Sequence, residues 1–381
     1  MTNLNVRTDI LILGAGVNAM VCVAFCQHYN LSYKVLALSA GLHSRNRHFT
    51  ITPTTEKIFK KLKLWNEKDE QQHGYFKSIQ ILAEDGTVDL DFNNSINLGR
   101  PMAWVVDEKF LNNKLDKLLE KEDHYLNTIN ILKNDHEGVK VEDDTNTIYE
   151  ANFMLITENL KIDNQAILGK QQRVRNYGQF ALVGDLISEK CHSNVAIQWF
   201  IKEGILALLP KKKPHAYSVI YSCNKDFDVL NLTPGVDLLP KSLMNKQIGQ
   251  IESFNNLSSY KLIEKWRPSI CHNSIVWLGS AAYSFHPLAG QGLNFAIKNI
   301  DRFFEHFSNQ KNYKDSFAKQ VFLKSLNKSV TNDAKRLIGL INLIKNYFGI
   351  SDKGCKISHK FFLKLINKSS FLKKSAIKAA S

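Results

Sequence analysis

Six residues near the N-terminus have the types and spacing that suit the binding of a phosphate group. Gly14-Ala15-Gly16-Val17-Asn18-Ala19 reads GxGxxA. The first glycine of such a motif permits a tight turn, the second lets a pyrophosphate approach the backbone, and the small third residue allows close packing. A phosphate there would lie over a helix N-terminus, where free N–H groups and the helix dipole favour an anion. The motif predicts a dinucleotide site.

The segments around this motif are those that a dinucleotide site requires. Residues 9–13 form an apolar run typical of a buried strand, and residues 20–25 continue in helical composition. A second strand is predicted at 33–38, and its end should carry an acid that binds a ribose hydroxyl. That position holds Ser39, whose hydroxyl can make one hydrogen bond without the charge of a carboxylate.

A second stretch, GSAAYSFHPLAGQGLNF at residues 279–295, combines small residues, a proline and two close glycines with the start of a helix. A loop of this composition suggests that something must lie against its backbone. His286 lies in the middle of this loop, beside Pro287. We interpret it as a loop-packing residue rather than as a base.

With both stretches in place, the chain resembles the class A flavoprotein monooxygenases and is most similar among them to the ubiquinone-biosynthesis hydroxylases. Further segments fit the same family in order: SRNRHFTITPTTEKIFKKLKLW (44–65), YGQFALVGD (177–185), AIQWF (196–200) and GILALLP (204–210). The similarity extends over roughly residues 5 to 350. It implies FAD as cofactor, reduced by NAD(P)H or another reductase, and hydroxylation of a polyprenylated phenol through a flavin hydroperoxide.

The same resemblance assigns the loop at 287–292 to the side of the flavin ring. Glycines at 290 and 292 would leave room that a Cβ would obstruct. The helix starting near Gly292 would stabilise negative charge on the reduced ring, and Asn294 could add a side-chain donor. No catalytic acid or base and no metal ligand is predicted. The expected cofactor contacts are Gly14, Gly16, Ala19, Ser39, Arg47, Glu158, Ser280, Pro287, Gly290, Gly292, Leu293 and Asn294.

Three positions depart from the family pattern. Ser39 and Ser280 replace carboxylates that hold the cofactor, and Glu158-Asn159 stands where the family has an aspartate-glycine pair. If each hydroxyl costs about 1–2 kcal/mol, the affinity for FAD falls by about one to three decades. The alternative interpretation is a flavin-poor or non-catalytic hydroxylase-fold subunit that acts as a scaffold in the biosynthetic complex.

Composition sets the broad class. The 381 residues are 44% hydrophobic and 23% charged, which is typical of a globular chain with two lobes. Six scattered cysteines without a CxxC favour a reducing compartment and argue against a zinc site. Cys22 and Cys26 are interpreted as small core residues. No metalloprotease, serine-hydrolase, P-loop or nucleic-acid-reading motif is present, and Lys211-Lys212-Lys213 is interpreted as a solvated loop.

The net charge of +14 is concentrated at the C-terminus, since residues 351–381 hold eight lysines and one aspartate among interleaved apolar residues. Such a basic amphipathic tail suits an anionic membrane surface or an acidic partner protein, and equally a solvated face of a packed helix. No signal peptide or membrane span is predicted, because the apolar run at 10–26 is short and interrupted by glycines. The expected location is cytoplasmic, with peripheral contact to the inner face of a membrane.

The expected fold is mixed α/β, with two interwoven lobes and a helical C-terminal region. Residues 78–92 predict a hairpin around Asp85-Gly86, and residues 334–349 predict a helix with a glycine cap. The expected boundaries are an FAD-binding Rossmann-like lobe at 1–72, 100–175 and 270–305, an antiparallel substrate lobe at 73–99 and 176–269, and a helical region at 306–381.

Overall fold

The computed structural model describes residues 5–38, 47–82, 86–93, 99–118, 124–126, 129–158, 169, 171–201, 203–224, 235–287, 290–309 and 315–349. The helices in these ranges are α1 Val17–His28, α2 Pro53–Lys61, α3 Glu67–Gln72, α4 Glu108–Leu115, α5 Lys241–Ile248, α6 Gly279–Ala282, α7 Gln291–Asn309 and α8 Ser316–Gly349. The strands are β1 Asn5–Leu13, β2 Tyr33–Leu38, β3 His48–Ile51, β4 Gly74–Phe76, β5 Ser78–Leu82, β6 Val88–Asn93, β7 Ala103–Asp107, β8 His124–Leu126, β9 Ile129–Asn134, β10 Val139–Asp143, β11 Ile148–Ile156, β12 Arg173–Ser188, β13 Val195–Ile201, β14 Gly204–Pro210, β15 Ala216–Cys223, β16 Ile251–Trp266, β17 Cys271–His272, β18 Ile275–Trp277 and β19 Tyr283–Ser284.

The first sheet carries the predicted dinucleotide unit. Its strand order is β17-β18-β11-β1-β2-β8, with the β9–β10 hairpin added at β11. Strand β1 is parallel to both β2 and β11, and β11 is parallel to β18. Because parallel strands end at the same edge, the segments that follow β1, β11 and β18 are brought together there. The predicted strand–loop–helix–strand unit over residues 9–38 is confirmed.

The second sheet is antiparallel apart from one pair and has the order β19-β16-β12-β15-β14-β13-β5-β6. The exception is β13, which runs parallel to β5. The three segments predicted as strands of the substrate lobe lie in β12, β13 and β14. The predicted hairpin is also confirmed, since β5 and β6 pair antiparallel on either side of Gly86. A small third sheet, β3-β7-β4, contributes residues from both sides of the expected lobe boundary at position 72.

Helix α7 buries an aromatic and aliphatic face in the core that it shares with α1 and the first sheet. Phe303 and Phe304 are fully buried, and the ring of Phe304 stacks on Phe25 of α1 at 5.0 Å. Burial of one such ring contributes roughly 1.5–3 kcal/mol. The helix is thereby fixed against α1.

The structure also bears on the predictions made for the C-terminal helix, the cysteines and membrane spans. Helix α8 includes the helix predicted at 334–349. Cys22 and Cys26 are fully buried and unpaired, and burial raises the pKa of both thiols, as expected of core residues. None of the helices in the described ranges combines the length and the apolar character needed to cross a membrane. Ser39, Asn159 and the basic segment 351–381 lie outside the described residues.

Candidate active site

Three chain segments converge at the carboxyl edge of the parallel sheet. Thr157, which follows β11, donates its backbone N–H and its hydroxyl to the carbonyl oxygen of Leu13, at 3.0 and 3.1 Å. Ser280, which follows β18, donates its hydroxyl to the carbonyl oxygen of Thr157 at 3.3 Å. The glycine loop therefore lies beside the two other segments that were expected to contact the cofactor. Ser280 occupies a single helical turn, α6, rather than the end of a strand.

The loop N–H groups of the GxGxxA motif are bound by a carboxylate of the protein itself. Glu158 Oε1 accepts hydrogen bonds from the backbone N–H of Ala15, at 3.1 Å, and from that of Gly16. Helix α1 has no side-chain cap of its own and no acidic residue in its first turn. Glu158 therefore supplies from a distant segment the negative charge that a helix N-terminus favours.

The two glycines of this motif are required by neighbouring protein atoms. Gly14 has a φ of +138°, and a Cβ there would overlap the side chain of Thr157. A Cβ on Gly16 would lie 2.6 Å from Glu158 Oε1. Ala19 is fully buried at the start of α1, as its small size predicts. The motif thus folds as expected, but the nearest atoms to its glycines belong to residues 157 and 158.

The side chain of Asn294, an expected flavin donor, is bound to other residues of the protein. Its side chain is 4% exposed, and its amide donates to the carbonyl oxygens of Thr50, at 2.7 Å, and of Gly290, at 3.1 Å. The hydroxyl of Thr55 donates to its Oδ1 at 2.7 Å. The side chain of Asn294 therefore joins Gly290, before α7, to Thr50 of β3 and Thr55 of α2. Its expected role as a donor to the flavin stays a prediction.

The glycines of the second loop face different surroundings. Gly290 has a φ of +59°, and a Cβ there would lie 2.5 Å from Thr50 Oγ1, so the protein itself requires glycine at this position. A Cβ on Gly292 would meet no atom within 4 Å. Gly292 lies in the first turn of α7 and lines an internal cavity. The open space that was expected beside this loop is therefore found at Gly292.

The cavity has a volume of about 320 Å³ and lies between the second loop and the antiparallel sheet. Pro287, Gly290, Gly292 and Leu293 line it on the loop side. The opposite walls are mainly apolar and come from Ile79, Ala196, Ile197, Ala207, Leu209, Ile220, Leu262 and Ile263. Such a cavity suits an aromatic or aliphatic ligand rather than a highly charged one.

Arg47 also lines this cavity and pairs with a buried acid. Its Nε donates to Glu108 Oε2 at 2.9 Å, and its terminal nitrogen donates to Glu108 Oε1. Burial lowers the pKa of Arg47, but the hydrogen bonds and charge of Glu108 outweigh this, so the pKa is raised overall. The Arg47 side chain remains 38% exposed, which leaves part of it open to a ligand.

Polar groups of the cavity wall include Tyr177 and His286, whose rings meet edge to face at 5.2 Å. Burial raises the pKa of Tyr177, and the nearby carboxylate of Glu264 raises it further, so its hydroxyl stays protonated. His286 is 2% exposed, as expected of a residue that packs the loop. No cluster of metal-ligating side chains occurs in the part of the chain that the structure describes.

A cluster of four charged or titratable residues next to the cavity escaped sequence reasoning. His48 Nε2 lies 2.5 Å from Asp107, and Lys211 Nζ lies 2.7 Å from Asp185 and 3.0 Å from His48. The hydrogen bond from His48 lowers the pKa of Asp107 to about 2. Lys211 is thus partly buried and paired, which corrects the prediction of a solvated loop at this lysine. Only the sheet pairings bring these residues together, so no sequence spacing could reveal them.

The described residues fit FAD at one end of the site better than at the other. The cavity beside Gly292, with Arg47 at its edge, leaves a space that a Cβ would enter. At the glycine loop, Glu158 binds the N–H groups that a pyrophosphate would use. The cavity and the glycine loop are therefore both present. The glycine loop could accept a phosphate only if Glu158 moved away from its N–H groups.

Comparisons with known proteins were made for sequence and for fold. No family model matches the chain. Ubiquinone hydroxylase UbiL from Rhodospirillum rubrum is 23% identical over 177 residues, which is 44% of this chain and only 40% of that protein. Mitochondrial ubiquinone biosynthesis monooxygenase COQ6 from Drosophila melanogaster is 21% identical over 355 residues, covering 77% of this chain and 72% of the relative.

Two solved structures show how far the fold is shared. The Klebsiella pneumoniae HpxO complex with FAD and uric acid has a TM-score of 0.74 at 10% identity and covers 98% of this chain and 96% of that one. The p-nitrophenol 4-monooxygenase PnpA from Pseudomonas putida has a TM-score of 0.71 at 11% identity, with coverage of 99% and 98%. The names of UbiL, COQ6 and PnpA, a hydroxylase and two monooxygenases, agree with the prediction of a flavin-dependent monooxygenase. They confirm the resemblance drawn from the sequence: the chain has the fold of the class A flavin monooxygenases and is similar in sequence to the ubiquinone hydroxylases.

Proposed function

We propose that this protein is an FAD-dependent monooxygenase that hydroxylates a polyprenylated phenol in ubiquinone biosynthesis. The observation that carries the proposal is the cavity between the Gly292 loop and the apolar face of the antiparallel sheet. It supplies room for an aromatic ring on the side where the family places the flavin. The names of the sequence relatives support the pathway and the substrate class.

The residues of the chain would supply binding, orientation and exclusion of water. When bound, FAD would supply the activation of dioxygen. The loop at 287–293 would hold the ring system, with the first turn of α7 favouring negative charge near it. Arg47 would keep a positive charge at the cavity edge. The eight apolar residues of the cavity walls would exclude water and hold an aromatic substrate by contact.

The substrate would enter with its ring first. The apolar walls of the antiparallel sheet would hold that ring on the side of the cavity opposite the Gly292 loop. A long tail would remain outside and could stay in a lipid phase. This is consistent with peripheral contact to a membrane, for which we propose the basic segment 351–381. Removal of residues after about 351 should then weaken binding to vesicles that contain anionic lipids.

A second candidate function is a non-catalytic subunit with the same fold. The observation that favours it is the internal pairing of two expected cofactor contacts, Arg47 with Glu108 and the glycine loop with Glu158. Against it stands the open cavity at Gly292, which no atom of the described protein fills. The two candidates differ in whether the protein can be loaded with flavin.

The deciding experiment is reconstitution followed by an assay. The purified protein is incubated with excess FAD, desalted and examined by visible absorption, then supplied with NADH or NADPH and a short-chain prenylphenol. We expect a retained or exchangeable flavin band and a product that has gained one oxygen atom, detected by mass spectrometry. A protein that binds no FAD at any concentration would remove the enzyme proposal and favour the scaffold.

A further inference from the structure

Glu158 is placed to compete with a dinucleotide for the glycine loop. Its Oε1 accepts from the N–H groups of Ala15, at 3.1 Å, and Gly16. In a GxGxxA unit the loop and helix N-terminus are the groups that receive a pyrophosphate. A carboxylate and a phosphate oxygen cannot occupy the same donors, and their like charges repel.

The competing carboxylate is held at a fixed distance from the loop. Thr157, the residue before it, is fully buried and makes two hydrogen bonds to Leu13 at the end of β1. The backbone at 158 is therefore anchored beside the loop by the parallel pairing of β1 and β11. From this root a glutamate side chain reaches both N–H groups, whereas an aspartate is shorter by one methylene group.

Among the described residues, the nearest hydrogen-bond partners of the Glu158 carboxylate are the N–H groups of the glycine loop. Arg47, a cationic group near enough for the charge of Glu158 to raise its pKa, is bound through two hydrogen bonds to Glu108. The carboxylate of Glu158 is therefore directed to the loop by two N–H donors of the backbone. It satisfies groups that would otherwise require a ligand or water.

We propose that the carboxylate of Glu158 occupies the phosphate cradle, the backbone N–H groups of Ala15 and Gly16 at the start of α1. Displacement of this carboxylate would then set the affinity of the protein for FAD. The inference rests on the proposed flavin-dependent function and replaces the expected role of Glu158 as a cofactor contact. A ligand that binds only the displaced state has its affinity reduced by the fraction of molecules in that state. FAD would accordingly behave as an exchangeable cofactor.

The test is an equilibrium titration of the wild-type protein and Glu158→Gln with three probes: FAD, ADP and riboflavin. Glutamine keeps the shape of the side chain but loses the charge that holds it on the loop and repels phosphate. We expect the dissociation constants for FAD and ADP to fall about tenfold. The constant for riboflavin, which has no phosphate, should not change.

Two further variants serve as controls. Glu158→Asp keeps the charge on a shorter side chain, so it should give a smaller gain for FAD and ADP, and it tests the inference if Glu158→Gln does not fold. Glu150→Gln changes an acid on the same strand, β11, that pairs with Arg7 and Lys140 at the surface. It should leave all three dissociation constants unchanged. Urea unfolding of each variant separates affinity from folding.

The outcomes separate the inference from the proposed function. Unchanged or weaker binding of both FAD and ADP in Glu158→Gln would overturn the inference, because it would make Glu158 neutral or a genuine cofactor contact. A gain for ADP without any binding of FAD would support the cradle and overturn the flavin-dependent function. Failure of every variant to bind either nucleotide would overturn both.

Discussion

The two glycine loops of this molecule differ in what lies against them. In the loop at 14–19, the atoms that require glycine belong to Thr157 and Glu158, and the backbone donors are already bound by a carboxylate. In the loop at 287–293, Gly290 is required by Thr50, while Gly292 borders open space in a cavity. In the first loop Glu158 binds the N–H groups of Ala15 and Gly16, whereas near the second loop Gly292 borders space that no described atom fills.

This difference shows that a glycine motif indicates a close contact with the backbone but does not identify the group that makes the contact. A phosphate, a flat ring and a neighbouring side chain all exclude a Cβ. In this protein the GxGxxA motif lies against the carboxylate of Glu158. Substitutions at the two loops should therefore separate the needs of the fold from those of the ligand, and the largest effects are expected where protein atoms fill the space.

The largest effect should follow from Gly14→Ala. The residue has a φ of +138°, and the new Cβ would overlap Thr157, which is fixed to Leu13. We expect a loss of about 2–4 kcal/mol in the free energy of unfolding, measured with urea. The matched control is Gly292→Ala, which meets no atom and should change stability by less than about 0.5 kcal/mol. Equal losses for the two variants would remove the contrast between the loops.

Asn294→Ala should have the next largest effect, again on stability rather than on ligand contact. The change leaves the carbonyl oxygen of Thr50 and the hydroxyl of Thr55 without their buried partner. The expected cost is about 2–3 kcal/mol in the free energy of unfolding. Chemical denaturation measures it, with Asn299→Ala on the same helix as a comparison. A stable Asn294→Ala protein with weakened FAD binding would contradict this expectation and support Asn294 as a flavin donor.

A measurement against pH tests whether the affinity of the glycine loop for ADP depends on the stability of β11, the strand that precedes Glu158. Lys319 is buried against β11, where its Nζ donates to the carbonyl oxygen of Asn152 at 2.6 Å, and burial lowers its pKa to about 8. Between that value and the unfolded pKa of about 10.4, the unfolded state binds more protons, so stability rises with pH.

The expected gain from this group is on the order of 1–2 kcal/mol between pH 8 and 10, measured as the difference between the wild-type protein and Lys319→Met. The affinity for ADP should not follow this gain, since Glu158 rather than the stability of β11 controls the loop. Parallel changes in stability and ADP affinity would show that the two are coupled.

The smallest effect should come from Gly290→Ala. Its φ of +59° lies in the left-handed region, and the nearest described atoms to the new Cβ are those of the Thr50 side chain, which would have to shift and lengthen its hydrogen bond to the carbonyl oxygen of Gly290. We expect a cost of about 1 kcal/mol in the free energy of unfolding. The double variant with Thr50→Ala should recover part of this cost in the same urea titration. No recovery would place the cost wholly in the backbone.

Sequence reasoning predicted the fold well and the site in part, for identifiable reasons. The β1–α1–β2 unit, the hairpin at 78–93 and the helix within α8 follow from local periodicity and turn residues. The family resemblance named Arg47, Pro287, Gly292 and Leu293 as cofactor contacts; they line one cavity, and their contact with a cofactor stays a prediction. These features depend on local sequence or on a pattern that a family shares.

The remaining features depend on contacts between distant residues. The bonds from Glu158 to the first loop span more than 140 residues, and those from Asn294 to Thr50 span more than 240. His48 and Asp107 meet because β3 pairs with β7, and Lys211, which follows β14, joins them to Asp185 of β12. A motif shows which groups the backbone presents, and only the assembled fold shows which of them the protein has already used.

The most direct test of the account is the affinity of Gly292→Leu for FAD and ADP, compared with that of the wild-type protein. The leucine side chain would fill the open space beside α7 without touching the first loop. We predict at least about tenfold weaker binding of FAD with unchanged binding of ADP, because only the flavin ring would lie there. Equal affinities of the two proteins for FAD would contradict the assignment of this cavity to the flavin.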